Sequence, residues 1–244
     1  MSAMTGAEHI AAVKQHLGSR SSGFVGETPI DTAVLSSVNK ARLKISKLIS
    51  ISALNRKAEI AVTTATNIYA EPILDTDGET IRVKDYVNLT LMASGESTSQ
   101  RLTRLSTQQK WDRFPYTNSD HAARPAFYEV FGGDISLHPF PEDAYTIYLI
   151  LNVWPTAIDD SNVNVPQDFL EEWDEVIESF ATHDMFAKLQ QSADAASWFG
   201  KFLLDMKETR GSEFTKPDWQ PDSEMGRRRS YGDASYDPFV RRTF

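Results

Sequence analysis

The chain has 244 residues, with 25 Lys and Arg against 34 Asp and Glu, a formal net charge of −9, 41% hydrophobic residues and no cysteine. That length suits one large domain or two small ones, and the lack of cysteine excludes disulfides, thiolate nucleophiles and cysteine-based metal sites. The longest nearly charge-free apolar run, Tyr145 to Trp154, is too short to cross a bilayer as a helix; no secretory signal is readable, no membrane partner is expected, and the acidic total argues against general nucleic-acid binding.

In chain order, residues 5–17 read as a short helix with Ala7, Ile10, Ala11 and Leu17 on one side, followed by a Gly/Ser-rich link from Gly18 to Gly26. The next helix is expected to be capped by Thr28, with Pro29 at its first position and Asp31 as the returning acid. Its apolar residues Val34, Leu35, Val38, Ala41, Ile45 and Leu48 recur at steps of three and four, and Lys40, Arg42, Lys44 and Lys47 read as its solvated face. The middle of the chain reads as five to seven mostly antiparallel strands between residues 57 and 155. These include Glu59–Thr63, Ile68–Glu71, a run from Ile81 to Leu91 with a slip near Asp85, and Arg101–Leu105, with Asp77-Gly78 as a hairpin signal. Trp111 to Tyr116 reads as an aromatic loop. Strands Ala126–Phe131 and Asp134–Leu137 flank a Gly132-Gly133 turn, and Tyr145–Trp154 reads as a long strand apolar on both faces in its middle.

Pro166 is expected to open an acidic helix, with Asp168, Glu171 and Glu172 in its first turns and Phe169, Trp173, Val176, Ile177 and Phe180 as its stripe. Residues 166–191 hold seven acids against Lys188 alone. Ser192 is expected to cap a last helix whose face is Ala195, Trp198, Phe199, Phe202, Leu203 and Met206, ended by Gly211.

Charge is unevenly spread. Residues 225–244 carry five arginines against Asp233 and Asp237, a net of +3 that leaves −12 on the rest. From Lys216 the chain shows no period of 2 or 3.6 and closes no core of its own. Tyr231, Tyr236, Phe239 and Phe244 interleave with Arg227, Arg228, Arg229, Arg241 and Arg242, the residue types that anchor interfaces, so this segment reads either as a solvated terminus or as an arm that orders on a partner.

Chemistry-bearing motifs are sparse. His9, His16, His121, His138 and His183 are scattered without an HExxH pattern, and His9 and His16, seven apart, share a helical side without the spacing of neighbouring metal ligands. There is no GxSxG, P-loop or GxGxxG signature, and Gly132-Gly133 is a hairpin turn because no helix follows it. Neither a catalytic site nor a cofactor or metal is expected.

Three segments stand out together with the order of parts: Gly132-Gly133-Asp134-Ile135-Ser136-Leu137-His138-Pro139-Phe140-Pro141, then Tyr145–Leu149 with Trp154-Pro155, then Asn164–Phe169. In these the chain resembles bacteriophage head-to-tail adaptor proteins of short-tailed phages, the tail tubular or gatekeeper proteins. Leu102–Leu105, Trp111–Pro115 and Arg124–Tyr128 also fit, so the likeness covers about residues 28–210. His138 departs from it, standing where an aromatic or apolar residue is expected.

The resemblance implies an α+β fold: a helical bundle of about four helices, an inserted mostly antiparallel β domain and an extended C-terminal arm. The expected parts are residues 1–56 (N-terminal helices), 57–158 (β-rich), 159–212 (C-terminal helices) and 213–244 (arm). It implies a virion structural protein, made in the host cytoplasm, that assembles with itself as a ring of twelve under the portal protein. The nozzle or fibre proteins would hang from it, and double-stranded DNA would pass through without specific binding. The arm residues Arg227, Arg228, Arg229, Tyr231, Tyr236, Phe239, Arg241, Arg242 and Phe244 are then candidate portal contacts, and Asp168, Glu171, Glu172, Asp174, Glu175 and Glu178 candidate channel-facing acids. Another tail component, or a hydrolase using Asp and His from distant segments, remains the alternative.

Overall fold

The computed structural model describes residues 3–23, 30–115, 119–165 and 168–213. Among them are five α-helices, α1 (Gly6–Leu17), α2 (Ile30–Leu48), α3 (Thr107–Arg113), α4 (Asp174–Lys188) and α5 (Ser192–Glu213). The strands are β1 (Asn55–Val62), β2 (Ile68–Ala70), β3 (Val83–Ala93), β4 (Gln100–Arg101), β5 (Thr103–Arg104), β6 (Phe127–Phe131), β7 (Asp134–His138) and β8 (Tyr145–Val153). The fold is α+β. Asn55–Val153 forms one compact unit and the helical segments on either side of it form the other, with Trp154 to Ile158 clustering with the helices.

In the helical unit α4 touches α1, α2 and α5. Its buried face is Val176, Ile177, Ala181, Met185 and Phe186, met by Val34, Val38, Ala41 and Ile45 of α2, Val13 and Leu17 of α1, and Phe202 and Met206 of α5. Trp173 is wholly buried, with Phe169 edge-on at 6.5 Å. α1 opens on a capping box: Glu8 N–H donates to Thr5 Oγ1 (3.2 Å) and Thr5 N–H to Glu8 Oε2 (2.7 Å). Gly6 leaves no room for a side chain there, since a Cβ would stand 2.7 Å from Ile158 Cγ2 and 3.1 Å from the Val163 carbonyl oxygen.

The acidic helix begins at Asp174, after a 3-10 turn at Glu171–Trp173, and not at Pro166, which lies outside the described residues. The reason is local: Phe169 is buried, Asp168 accepts the Thr156 N–H (3.2 Å), and Leu170 is extended (φ −75°, ψ 154°). α5 runs through Gly211 to Glu213 instead of ending at the glycine, whose cost of about 1 kcal/mol in a helix interior is offset by the rest of the helix. On α5, Ala195, Phe202 and Met206 are buried, while Phe199 and Leu203 are exposed. The expected cap at Thr28 and Pro29 lies outside the described residues.

The other unit holds two four-stranded sheets, β1-β8-β3-β4 and β2-β7-β6-β5. All pairings are antiparallel except β5 with β6. The slip near Asp85 is present as register shifts between Val83 and Asp85 and between Tyr86 and Asn88. The stretch Arg101–Leu105 is not one strand: the chain leaves the first sheet after β4 and enters the second at β5, with buried Leu102 at the crossing. Arg104 then pairs with Asp85 (3.1 Å) and Tyr86 donates to Glu71 (2.9 Å), tying the sheets together. Burial and the Glu71 carboxylate push the Tyr86 hydroxyl pKa up, so it stays a donor.

The glycine hairpin is as expected, with Gly132 at φ +66° and Gly133 at φ +95° joining β6 to β7. Asp77-Gly78 instead turns a small loop, closed by one bridge between Leu74 and Thr80 and by the Asp75 carboxylate accepting the Asp77 and Glu79 N–H groups. β8 alternates from Tyr145 to Leu151, with Tyr145, Ile147, Leu149 and Leu151 buried, and is buried at successive residues only over Leu151–Val153. Trp111 lies in α3, not in a loop: Ser106 and Gln109 form a capping box that starts this short helix.

Candidate assembly surfaces

The helical unit decides which of its acids reach solvent. His9 sits on the buried side of α1 with no exposed surface. Its Nε2 lies 3.3 Å from Asp174 Oδ1 and its Nδ1 3.7 Å from Glu178 Oε1. Asp174 and Glu178 are one turn apart on α4, so both face the same imidazole. Two turns along α1, His16 Nε2 reaches Glu178 Oε2 at 3.7 Å and stacks at a tilt on Trp198 (4.7 Å). Asp174 Oδ2 also accepts the Met4 N–H (3.1 Å). Burial by itself favours a neutral His9 ring, but Asp174 and Glu178 outweigh it and raise the pKa. Only the imidazolium offers a proton toward both carboxylates.

Arg42 is the second inward group. The sequence places it on a solvated cationic face, yet it is 1% exposed, donating to the Thr156 carbonyl (2.7 Å) and lying 3.5 Å from Asp168. Its guanidinium lies over the Phe169 ring (5.4 Å). Burial pushes its pKa down to about 10, with Asp168 opposing, so it is a cation at neutral pH. Lys40, on the expected solvated face, pairs with Asp184 (2.7 Å), which also accepts from Ser37 (2.8 Å). Burial works against the Asp184 carboxylate, but Lys40, Ser37 and Lys188 more than compensate and hold its pKa low.

The six candidate channel-facing acids therefore divide. Asp168, Asp174 and Glu178 turn toward Arg42, His9 and His16, whereas Glu171, Glu172 and Glu175 are exposed. The arm residues Arg227, Arg228, Arg229, Tyr231, Tyr236, Phe239, Arg241, Arg242 and Phe244 lie outside the described residues. His138, the departure noted above, behaves as an aromatic packing residue: it is 3% exposed and stacks on Phe114 at 5.6 Å. Burial, helped by Lys110, lowers its pKa, so the ring is neutral at pH 7. Among the described residues no group of three or more His, Asp or Glu side chains is placed to hold a metal ion, and no helix is long and apolar enough to cross a membrane.

Sequence reasoning missed the histidine–carboxylate contacts and the inward turn of Arg42. The heptad spacing of His9 and His16, set against acids four apart at Asp174 and Glu178, was the available signal for the first.

No curated protein matches the sequence. The family model described as SU10 adaptor protein matches residues 4–227, spanning both units. The chain thus belongs to the SU10 adaptor protein family, a family of phage head-to-tail adaptors, and is a structural protein of the virion.

Proposed function

We propose that the chain is the repeating subunit of a ring, twelve copies around the DNA path, that sits beneath the portal protein and carries the nozzle or fibre proteins. The observation that supports this most is the family match over residues 4–227, which takes in nearly the whole chain. The helical unit forms the body of the ring, and the β unit faces the tail. The Arg- and Tyr/Phe-bearing segment 225–244 grips the portal, its arginines meeting carboxylates and its aromatic residues filling pockets. A single arm need bind only weakly, because ring closure multiplies the arms. The protein acts by binding, with no catalytic step.

Exposed Glu171, Glu172 and Glu175 line the channel in this reading. A negative wall lets a polyanion pass, whereas a basic one would hold it through counterion release. The test is native mass of the chain alone and mixed with the portal ring from the same genome. A stoichiometric ring on the portal is expected, lost when residues 225–244 are deleted; a deletion variant that fills the portal as completely as the full chain refutes the arm's role.

A further inference from the structure

The second sheet of the β unit carries a groove that packing leaves open. Side chains two apart on a strand share a face, so Glu129 and Phe131 of β6 point the same way. The register extends that face: Glu129 stands opposite Ser136, Ser136 opposite Ile68, and Phe131 opposite Asp134. At one end Phe114, which follows α3, covers the sheet by packing on Phe127 and His138, each at 5.6 Å. Beyond it lies a cleft of about 270 Å³ between Lys110 and Trp111 of α3 and the residues Ile68, Glu129, Phe131 and Asp134.

The walls and floor of this cleft differ in chemistry. Trp111, Ile68 and Phe131 are 52%, 57% and 69% exposed, a cluster of large apolar side chains left in water. Glu129 on the floor is 6% exposed. Among the described residues its ionic partner is His138, 3.9 Å away, a ring that burial keeps neutral at pH 7. The nearby ammonium of Lys110 is seated on the Trp111 ring, 3.3 Å from its centroid. A buried carboxylate facing an aromatic-walled opening without a full counter-charge is half of a cation site. Of the two cationic side chains, the flat and weakly hydrated guanidinium fits between ring faces and reaches a carboxylate with two donors. β2 is the edge of this sheet, so an extended segment can lie alongside it while its side chain enters the cleft.

We propose that this groove binds an arginine side chain presented by an extended segment of a partner protein, its guanidinium on Glu129 and its stem between Trp111 and Phe131. The assignment is independent of the portal contact and concerns the β unit alone.

The experiment uses the full-length, 15N-labelled chain titrated with acetyl-Gly-Arg-Gly-amide, with the citrulline and lysine tripeptides as controls. Saturable shifts confined to Trp111, Glu129 and Phe131 are expected, with at least tenfold weaker binding by the citrulline peptide and in Glu129→Gln. Trp111→Ala, at an exposed position, gives the same loss and carries the test if Glu129→Gln fails to fold. Equal binding of arginine and citrulline peptides, retained affinity in both variants, or no shift at all overturns the proposal. Shifts seen only after Arg227, Arg228, Arg229, Arg241 and Arg242 are all replaced by Gln overturn it too, and give the groove to the chain's own C-terminal segment.

Discussion

Changing His9 tests whether α1 is held to α4 by charge. With no exposed surface and carboxylate oxygens at 3.3 and 3.7 Å, the imidazolium gains about 5 kcal/mol of Coulomb attraction from each at an effective dielectric near 20. Desolvation cancels much of that, so the useful figure is the cost of removing one partner of a buried ion pair, about 3–5 kcal/mol. His9→Ala should lose about that much apparent stability, and His9→Gln less, because an amide still donates to one carboxylate. The pH dependence has a definite sign. The folded-state pKa of His9 is raised, so the native state binds more protons than the unfolded chain. Its contribution is complete below the unfolded value of about 6.5 and is lost as pH rises through the folded value. His138 works oppositely: its folded pKa is lowered by burial, so it weakens the fold below about 6.5, and that effect fades as pH rises to 6.5 and is gone above it. The whole-protein curve therefore carries the His138 slope below about 6.5 and the His9 slope above it, and the difference between wild type and His9→Gln isolates the latter. Urea unfolding followed by helical circular dichroism from pH 6 to 9 gives that difference, and a titration of the His9 ring protons locates it. A gap between wild type and variant that stays constant or widens toward pH 9 would sink the reasoning.

Other substitutions probe neighbouring parts of the structure. Gly6→Ala must displace Ile158 Cγ2 or the Val163 carbonyl, and thermal melts should show a loss of about 1–3 kcal/mol. Arg42→Ala removes the cation beside Asp168 and empties the space over Phe169, with an expected cost of about 3 kcal/mol; Arg42→Met, which refills the volume, should recover at least half of it in denaturant titrations. Gly133→Ala forces a side chain onto φ +95° and should cost about 1–2 kcal/mol, with the hydrogen-exchange change centred on β6 and β7. A neutral loss spread over the helical unit would contradict the hairpin assignment.

Local chemistry explains how much of this was legible beforehand. The Gly132-Gly133 hairpin and the slip near Asp85 are written in adjacent residues, through turn glycines and a broken alternation; the helix expected over residues 5–17 is present, but it buries Gly6, His9, Val13 and Leu17, so of the expected side Ala7, Ile10, Ala11 and Leu17 only Leu17 is buried. The capping box of α3 was equally local, in Ser106 and Gln109, but the aromatic density of Trp111 to Tyr116 masked it. The start of α4 was not legible, because it depends on Asp168 and Phe169 being held in place by Arg42 and Thr156, contacts far apart in sequence. Arg42 itself looked solvated for the same reason: its neighbours in sequence are Lys40, Lys44 and Lys47, and its neighbours in space are an aromatic ring and a carboxylate. The floor of the β-unit groove likewise needed register, since Glu129 becomes conspicuous only once Ser136 and Ile68 are seen beside it.

Charge counted along a sequence and charge presented to a partner are different quantities, and this helical unit separates them. Residues 166–191 look like one acidic face, yet Asp168, Asp174, Glu178 and Asp184 each sit against a cation or a histidine of α1, α2 or α4. Their negative charge is largely spent on internal contacts. Glu171, Glu172 and Glu175 differ from these four in being exposed, and they are the acids that the proposed channel role concerns. Charge reversal therefore means different things at the two sets of positions. A lysine at Asp174 or Glu178 would face His9 and drive α1 from α4, so a defect there reports on folding. Reversal at Glu171, Glu172 and Glu175 leaves those contacts in place, and a change in DNA passage from these three alone is the result that speaks to the channel.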